Sequence, residues 1–253
     1  MLDWYHYLIA IVGSAFAGAI NTLAGNGSAI TLTILTEMLG LTPNVANATN
    51  RVGVVAQSLG STWAFYVNGK LEMKRSMPYL ITMLVGSVAG VLVALWVSND
   101  QFKAVFKFLM VFMLVVILVK PKRWLRETSI ETRPNLWIAI PVFLAIGFYG
   151  GFIQMGMGIF FLTAMVLGAK YSLMDANVVK SFAVGLYTLL AVLIFAWQGM
   201  IDWKMGLIMA FGQIIGGYLM AHYASRFAGA NVWAHRVLVV VVIAAVLRLF
   251  NVF

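Results

Sequence analysis

The chain contains no cysteine. Disulfides, thiolate metal sites and iron–sulfur ligation are therefore excluded. Charge is scarce: 10% of the 253 residues are Asp, Glu, Lys or Arg, which is too few to coat a soluble globule, where about 25% is usual. The three histidines, His6, His222 and His235, lie too far apart to give a metal-binding spacing. There is no Gly-x-Ser-x-Gly elbow, no His-Glu-x-x-His and no Walker lysine motif. These absences argue against an enzyme, a resident cofactor and ATP-driven transport by this chain alone. The start, Met1-Leu2-Asp3-Trp4, lacks the basic residues of a cleaved signal peptide, so residues 7 to 24 read as a retained first span.

What is abundant is apolar: 62% of the residues fall in the set AVILMFWYC, and the mean hydropathy is +0.95. A polytopic, all-α membrane protein is the class that fits. The formal net charge of +9 resembles that of a nucleic-acid binder, but the basic residues cluster between apolar runs, where cytoplasmic loops belong. We therefore expect a lipid bilayer and no nucleic acid as partner, and nothing in the sequence opposes a homodimer.

A spanning helix needs about 20 mostly apolar residues. The runs that approach this length are Tyr7–Ala24, Val52–Val67, Met77–Val97, Val105–Val119, Leu136–Gln154, Phe182–Trp197, Met205–Tyr223 and Val237–Leu247. Two runs, Ala29–Leu41 and Ile159–Ala169, are too short and read as buried or re-entrant segments. The expectation is eight full helices plus two short ones. The polar stretch 120–135 divides the chain and should face the cytoplasm, as should the basic loop from Lys70 to Arg75.

The two halves, 1–119 and 136–253, resemble each other. Gly25-Asn26-Gly27-Ser28 corresponds to Gly156-Met157-Gly158, 131 residues later (156 − 25). Arg51 corresponds to Lys180, 129 later, and Gly86-Ser-Val-Ala-Gly90 to Gly212-Gln-Ile-Ile-Gly216, 126 later. An internal duplication is the natural reading; coincidence of Gly pairs in a Gly-rich chain is the alternative. If the short segments cross, the halves are inverted; if they dip and return, the halves are parallel. Inverted halves keep more Lys and Arg on the cytoplasmic side and are preferred.

Glycine breaks free backbone groups that lipid cannot satisfy, so irregular backbone at membrane depth lines a cavity or is buried in protein. Paired, Gly-interrupted short segments in two halves point to a transporter's central site. At the first break Asn21, Thr22, Gly25, Asn26, Gly27 and Ser28 are candidate binding residues; at the second they are Gln154, Gly156 and Gly158. Close helix packing is the alternative use of such glycines. Arg51 and Lys180, with Asn50 and Ser181 beside them, are candidates for a positive centre holding a small anion, unless they snorkel to the headgroups. Glu37, the one carboxylate well inside an apolar run, is a candidate for proton coupling or for the wet end of a short helix. Gln57 and Gln213 read as interhelical hydrogen-bonding groups.

The stretch Ala17-Gly18-Ala19-Ile20-Asn21-Thr22-Leu23-Ala24-Gly25-Asn26-Gly27-Ser28, followed by Ala46-Asn47-Ala48-Thr49-Asn50-Arg51, resembles the first conserved block of the TauE/SafE, or sulfite-exporter-like, permeases. Gly147-Phe-Tyr-Gly-Gly151, Gly156-Met-Gly158, Gln198-Gly-Met-Ile-Asp-Trp203 and Gly212-Gln-Ile-Ile-Gly-Gly-Tyr218 resemble the second. The chain departs from the family pattern at Asn26 and Ser28, at Met155–Met157 and at Arg51, where the family often has Lys. The resemblance implies a secondary transporter of the bacterial inner membrane that moves small sulfur-containing anions or organic acids. An anion channel, or an assembly factor without transport activity, is the rival.

Overall fold

In the computed structural model, the described residues are 3–69, 76–118, 136–169 and 171–224, with three isolated positions beyond them. Among them there is no strand. The elements are α1 (Trp4–Ala24), α2 (Gly27–Thr33) with a π-helical turn (Ile34–Met38), α3 (Pro43–Val67), α4 (Met77–Trp96), α5 (Asn99–Leu118), α6 (Leu136–Phe152), α7 (Met157–Thr163) with a π-helical turn (Ala164–Gly168), α8 (Leu173–Trp197) and α9 (Trp203–Ala224). Trp4–Ala24, Met77–Trp96, Met174–Trp197 and Trp203–Ala224 are long and apolar enough to cross a membrane. The expected loops at 70–75 and 120–135 and the expected run Val237–Leu247 lie outside the described residues.

Both apolar runs judged too short to span are short helices, each seven residues of α-helix followed by five of π-helix. Their endings repeat bond for bond. Leu39 N–H donates to Ile34 O at 3.0 Å and Leu41 N–H to Leu35 O at 2.9 Å; 130 residues later Ala169 donates to Ala164 at 2.9 Å and Tyr171 to Met165 at 3.0 Å. α2 folds back along α1. A Cβ at Gly27 would run into the Ala17 carbonyl and Asn21, and one at Gly13 into the Ile34 side chain. The absence of a side chain at Gly27 lets the hairpin close.

The long helices that follow start earlier than their apolar runs. α3 begins at Pro43 rather than Val52, and α8 at Leu173 rather than Phe182. Pro43 is preorganised for the first helical turn, and Ser172 caps α8 by accepting from Asp175 N–H at 3.1 Å. Asn47, Asn50 and Arg51 interrupt hydropathy, not the helix: all three are buried, facing other helices instead of lipid.

The second helix pairs are built by small residues. Gly86 and Gly90 of α4 abut the backbone of α6 at Leu144 and Phe148, while Gly147 and Gly151 of α6 abut α4 at Met83 and Ser87. In the other half Gly212 and Gly216 of α9 abut α1 at Ile11 and Ala15. Without a hydrophobic drive between helices in lipid, such close backbone approach supplies the van der Waals contact that holds them. Each Gly-x-x-x-Gly helix thus grips the broken helix of the opposite half. α3 and α8 meet at the centre in antiparallel sense: Ala64 and Phe65 cluster with Val178, Ser58 lies against Gly185, and Ala48 clusters with Ala191 and Phe195. The outer surface is apolar, with Leu8, Val12, Phe16, Ile81, Val85 and Phe211 exposed. Trp96, Trp137 and Trp197 stand exposed at or beside helix ends, the places of an interfacial aromatic belt.

Candidate functional site

The two glycine breaks meet. α1 ends at Gly25, whose φ of +76° turns the chain left-handed, and α6 is followed by Gln154 (φ +62°) and Gly156 (φ +72°). Gly158 N–H donates to Gly25 O at 3.1 Å. A Cβ on either glycine would sit on the other's backbone. Beside this crossing is a chamber of about 10 Å³, space for roughly one water. Asn21, Gly25, Gln154, Gly158, Lys180 and Ser181, all foreseen from the sequence, line it. Gln57, Ser58, Met157 and Val184 complete the wall.

Most of that wall is hydrogen-bonded. Asn21 Nδ2 donates to Gln57 Oε1 at 2.7 Å, and Asn21 Oδ1 accepts from Gly27 N–H at 3.3 Å. Gln57 Nε2 donates to Thr22 Oγ1 at 2.9 Å, and Gln154 Nε2 to Thr188 Oγ1 at 3.2 Å. The exceptions are Ser58 Oγ, Ser181 Oγ and Gln154 Oε1, which are buried with no partner. Buried polar atoms are normally bonded, so these three are open to a guest.

The cations make reciprocal contacts. Lys180 Nζ, from α8, donates to Asn21 O at 2.9 Å, Thr22 O at 2.8 Å and Asn177 Oδ1 at 2.7 Å. Arg51, from α3, donates from Nη1 to Gly150 O at 2.5 Å, and from Nη2 to Gly151 O at 2.8 Å and Asn47 Oδ1 at 3.3 Å. Arg51, Asn21 and Thr22 shifted by 129 residues become Lys180, Gly150 and Gly151. Each half therefore sends one cation across to the carbonyls at the end of the other half's broken helix. Those carbonyls are the negative end of the helix dipole; Asn21 O also accepts from Gly25 N–H at 3.0 Å.

The geometry changes several expected roles. Arg51 does not line the chamber; it is fully enclosed, with its Nη groups spent on α6. Thr22, Asn26, Gly27, Ser28, Asn50 and Gly156 do not line it either. Thr22 and Asn50 belong to the surrounding bonds, Asn50 Oδ1 accepting from Thr31 Oγ1 at 2.6 Å, and Ser28 O accepts from Thr31 Oγ1 at 3.2 Å. Asn26 heads α2 with both side-chain amide atoms buried and unpartnered. Gly156 makes the left-handed cap before α7. Glu37 is exposed and lines a separate groove with Thr36, Phe102 and Lys103. The π-helical turn and Gly40 (φ +70°) end the short helix there, so the carboxylate emerges at its rim. Glu37 thus stands apart from the chamber, at the wet end of its short helix.

The chamber wall held residues that hydropathy hides, Gln57 and Ser58 foremost. A signal for the cations' partners was present: Asn47 and Arg51 are four apart and Asn177 and Lys180 three apart, spacings that share a helix face. Among the described residues no group of three metal-ligating side chains occurs.

The model of the family described as Sulfite exporter TauE/SafE matches residues 10–249. The chain is 29% identical to "Probable membrane transporter protein ORF9" of Sinorhizobium sp, covering 97% of this chain and 93% of that one. It is 26% identical to "Probable membrane transporter protein YfcA" of Escherichia coli K12 over 79% and 74% of the two chains, and 22% identical to "Probable membrane transporter protein YunE" of Bacillus subtilis over 85% and 87%. With its apolar helices and its match along nearly the whole length, the chain belongs to the TauE/SafE family of transmembrane permeases.

Proposed function

We propose that this permease is a secondary transporter of a small anion, sulfite or another sulfur-containing or organic anion, that binds in the chamber between the two glycine breaks. The observation that carries this reading is the charge of the interior. Arg51 and Lys180 are buried, and no Asp or Glu is buried among the described residues. The two helix ends they cap contribute about −0.5 each, leaving roughly one positive charge at the centre. A buried charge in lipid is costly unless something answers it, and an anion does so while a cation would worsen the imbalance. The family's description as sulfite exporter supports the sulfur oxyanion.

The chamber as it stands is too small for such an anion, so passage requires the halves to move. Antiparallel packing of the equivalent helices α3 and α8, together with the reciprocal cation contacts, favours two inverted repeats, 1–119 and 136–253, joined by a cytoplasmic linker at 120–135. Rocking of one repeat on the other then opens the site to either face in turn, in the bacterial inner membrane. Saturable uptake with counterflow is expected; a channel would show neither.

In proteoliposomes, Lys180→Ala and a Ser58→Ala/Ser181→Ala double variant should each lower uptake of labelled sulfite by at least about tenfold, the loss of one or two charge-assisted or buried bonds. Full uptake by both would reject the chamber as the site. The cysteine-free sequence gives a clean test of topology: Asn68→Cys and Gln198→Cys, at equivalent turns after α3 and α8, should react with a membrane-impermeant thiol reagent from opposite sides. Labelling from the same side would make the repeats parallel.

A further inference from the structure

Arg51 and Lys180 hold equivalent positions and make equivalent bonds, yet only Lys180 reaches the chamber. An ammonium has three N–H groups, and here all three are engaged, two of them on the carbonyls of Asn21 and Thr22 at the end of α1. An anion in the chamber can use that ammonium only by taking N–H groups from those carbonyls. It is the stronger acceptor, since it carries at least one full negative charge, whereas the carbonyls at a helix end share only about −0.5. Ser58 Oγ and Ser181 Oγ, unpartnered in the same wall, are ready to hold the anion's remaining oxygens. Arg51 faces no such competitor: its planar fork is enclosed and bidentate on Gly150 and Gly151. The end of α1 passes into α2 through Gly25, whose left-handed backbone rests on Gly158, so the Lys180 cap and this crossing are what hold the α1–α2 turn at the chamber.

We infer that Lys180 is the binding residue through which occupancy drives opening: the entering anion strips the Lys180 cap from α1, frees the α1–α2 hairpin to move, and leaves α6 anchored by Arg51. The inference rests on the anion reading above, and it makes the two halves unequal partners in the cycle, one mobile and one fixed.

The test is amide hydrogen exchange of the full chain in lipid nanodiscs, with sulfite as probe and chloride as ionic-strength control, run beside sulfite counterflow. Sulfite should speed exchange in residues 19–25 by about tenfold while residues 146–152 stay unchanged. Lys180→Gln should exchange fast at 19–25 without sulfite and show no further response. Lys180→Arg, which retains a fork for the two carbonyls, should keep α1 protected and lower the maximal counterflow rate more than the apparent affinity. Wild-type counterflow without faster exchange at 19–25, or with equal change at 146–152, overturns the inference and leaves the anion reading intact. A Lys180→Gln chain that exchanges no faster than wild type overturns the cap itself, whatever the ligand. Absence of sulfite binding and counterflow in wild type overturns the anion reading for sulfite and the anion-driven release with it.

Discussion

Gly25→Ala should abolish transport and lower stability by about 2–5 kcal/mol, the sum of a left-handed backbone penalty of about 1–2 kcal/mol and an overpacking penalty of about 1–3 kcal/mol. The new methyl group would lie on Gly158 Cα and 2.9 Å from Ile159 N. These are backbone atoms, so no rotamer change relieves the contact. α7 has to move away, and the 3.1 Å bond from Gly158 N–H to Gly25 O is lost. Two controls separate the causes. Gly40→Ala has a similar φ of +70° but no atom within 4 Å, so it should show the backbone penalty alone. Gly158→Ala meets Gly25 backbone without a left-handed φ, so it should show the clash alone. Thermal unfolding in detergent and sulfite uptake read both effects. A Gly25→Ala protein no worse than Gly40→Ala would mean that the breaks do not touch in the working molecule.

Arg51→Met should cost about 2–6 kcal/mol, because it leaves the buried carbonyls of Gly150 and Gly151 unsatisfied at about 1–3 kcal/mol each. Methionine fills part of the volume but offers no donor. Arg51→Lys should fall between, since one ammonium replaces a two-pronged fork and geometry of that kind is not interchangeable. The loss should appear as lower folded yield and a lower unfolding midpoint. Lys180→Met removes bonds to two carbonyls as well, but at the chamber wall. Its larger effect should be on transport. Equal stability of Arg51→Met and wild type would show that α6 ends without need of its cap, and the reciprocal arrangement would lose its structural meaning.

The match between expectation and structure follows the range of each interaction. Membrane character depends on composition, and both short segments and their breaks depend on neighbouring residues, so 29–41 and 159–169 were legible as interrupted elements. The apolar runs begin at 52 and 182 while the helices begin at 43 and 173, because hydropathy treats Asn47, Asn50 and Arg51 as solvent-seeking, whereas in a bundle the polar face of a helix turns inward. Glu37 carried two readings, proton coupling or the wet end of a short helix, and its exposure beside the π-helical turn matches the second. Apolar neighbours in sequence suggested depth, but the π-helical turn brings it to an edge.

The sequence by itself determined the transmembrane class, and it named both glycine breaks and six residues that line the chamber, because composition, glycine spacing and charge scarcity are written locally. Only the tertiary structure decided what the two cations do. Their carbonyl partners lie 99 and 100 residues from Arg51 and 158 and 159 from Lys180, across the boundary between halves. No local pattern encodes which end of which helix will face a given side chain; crossing the broken helices at Gly25 and Gly158 does.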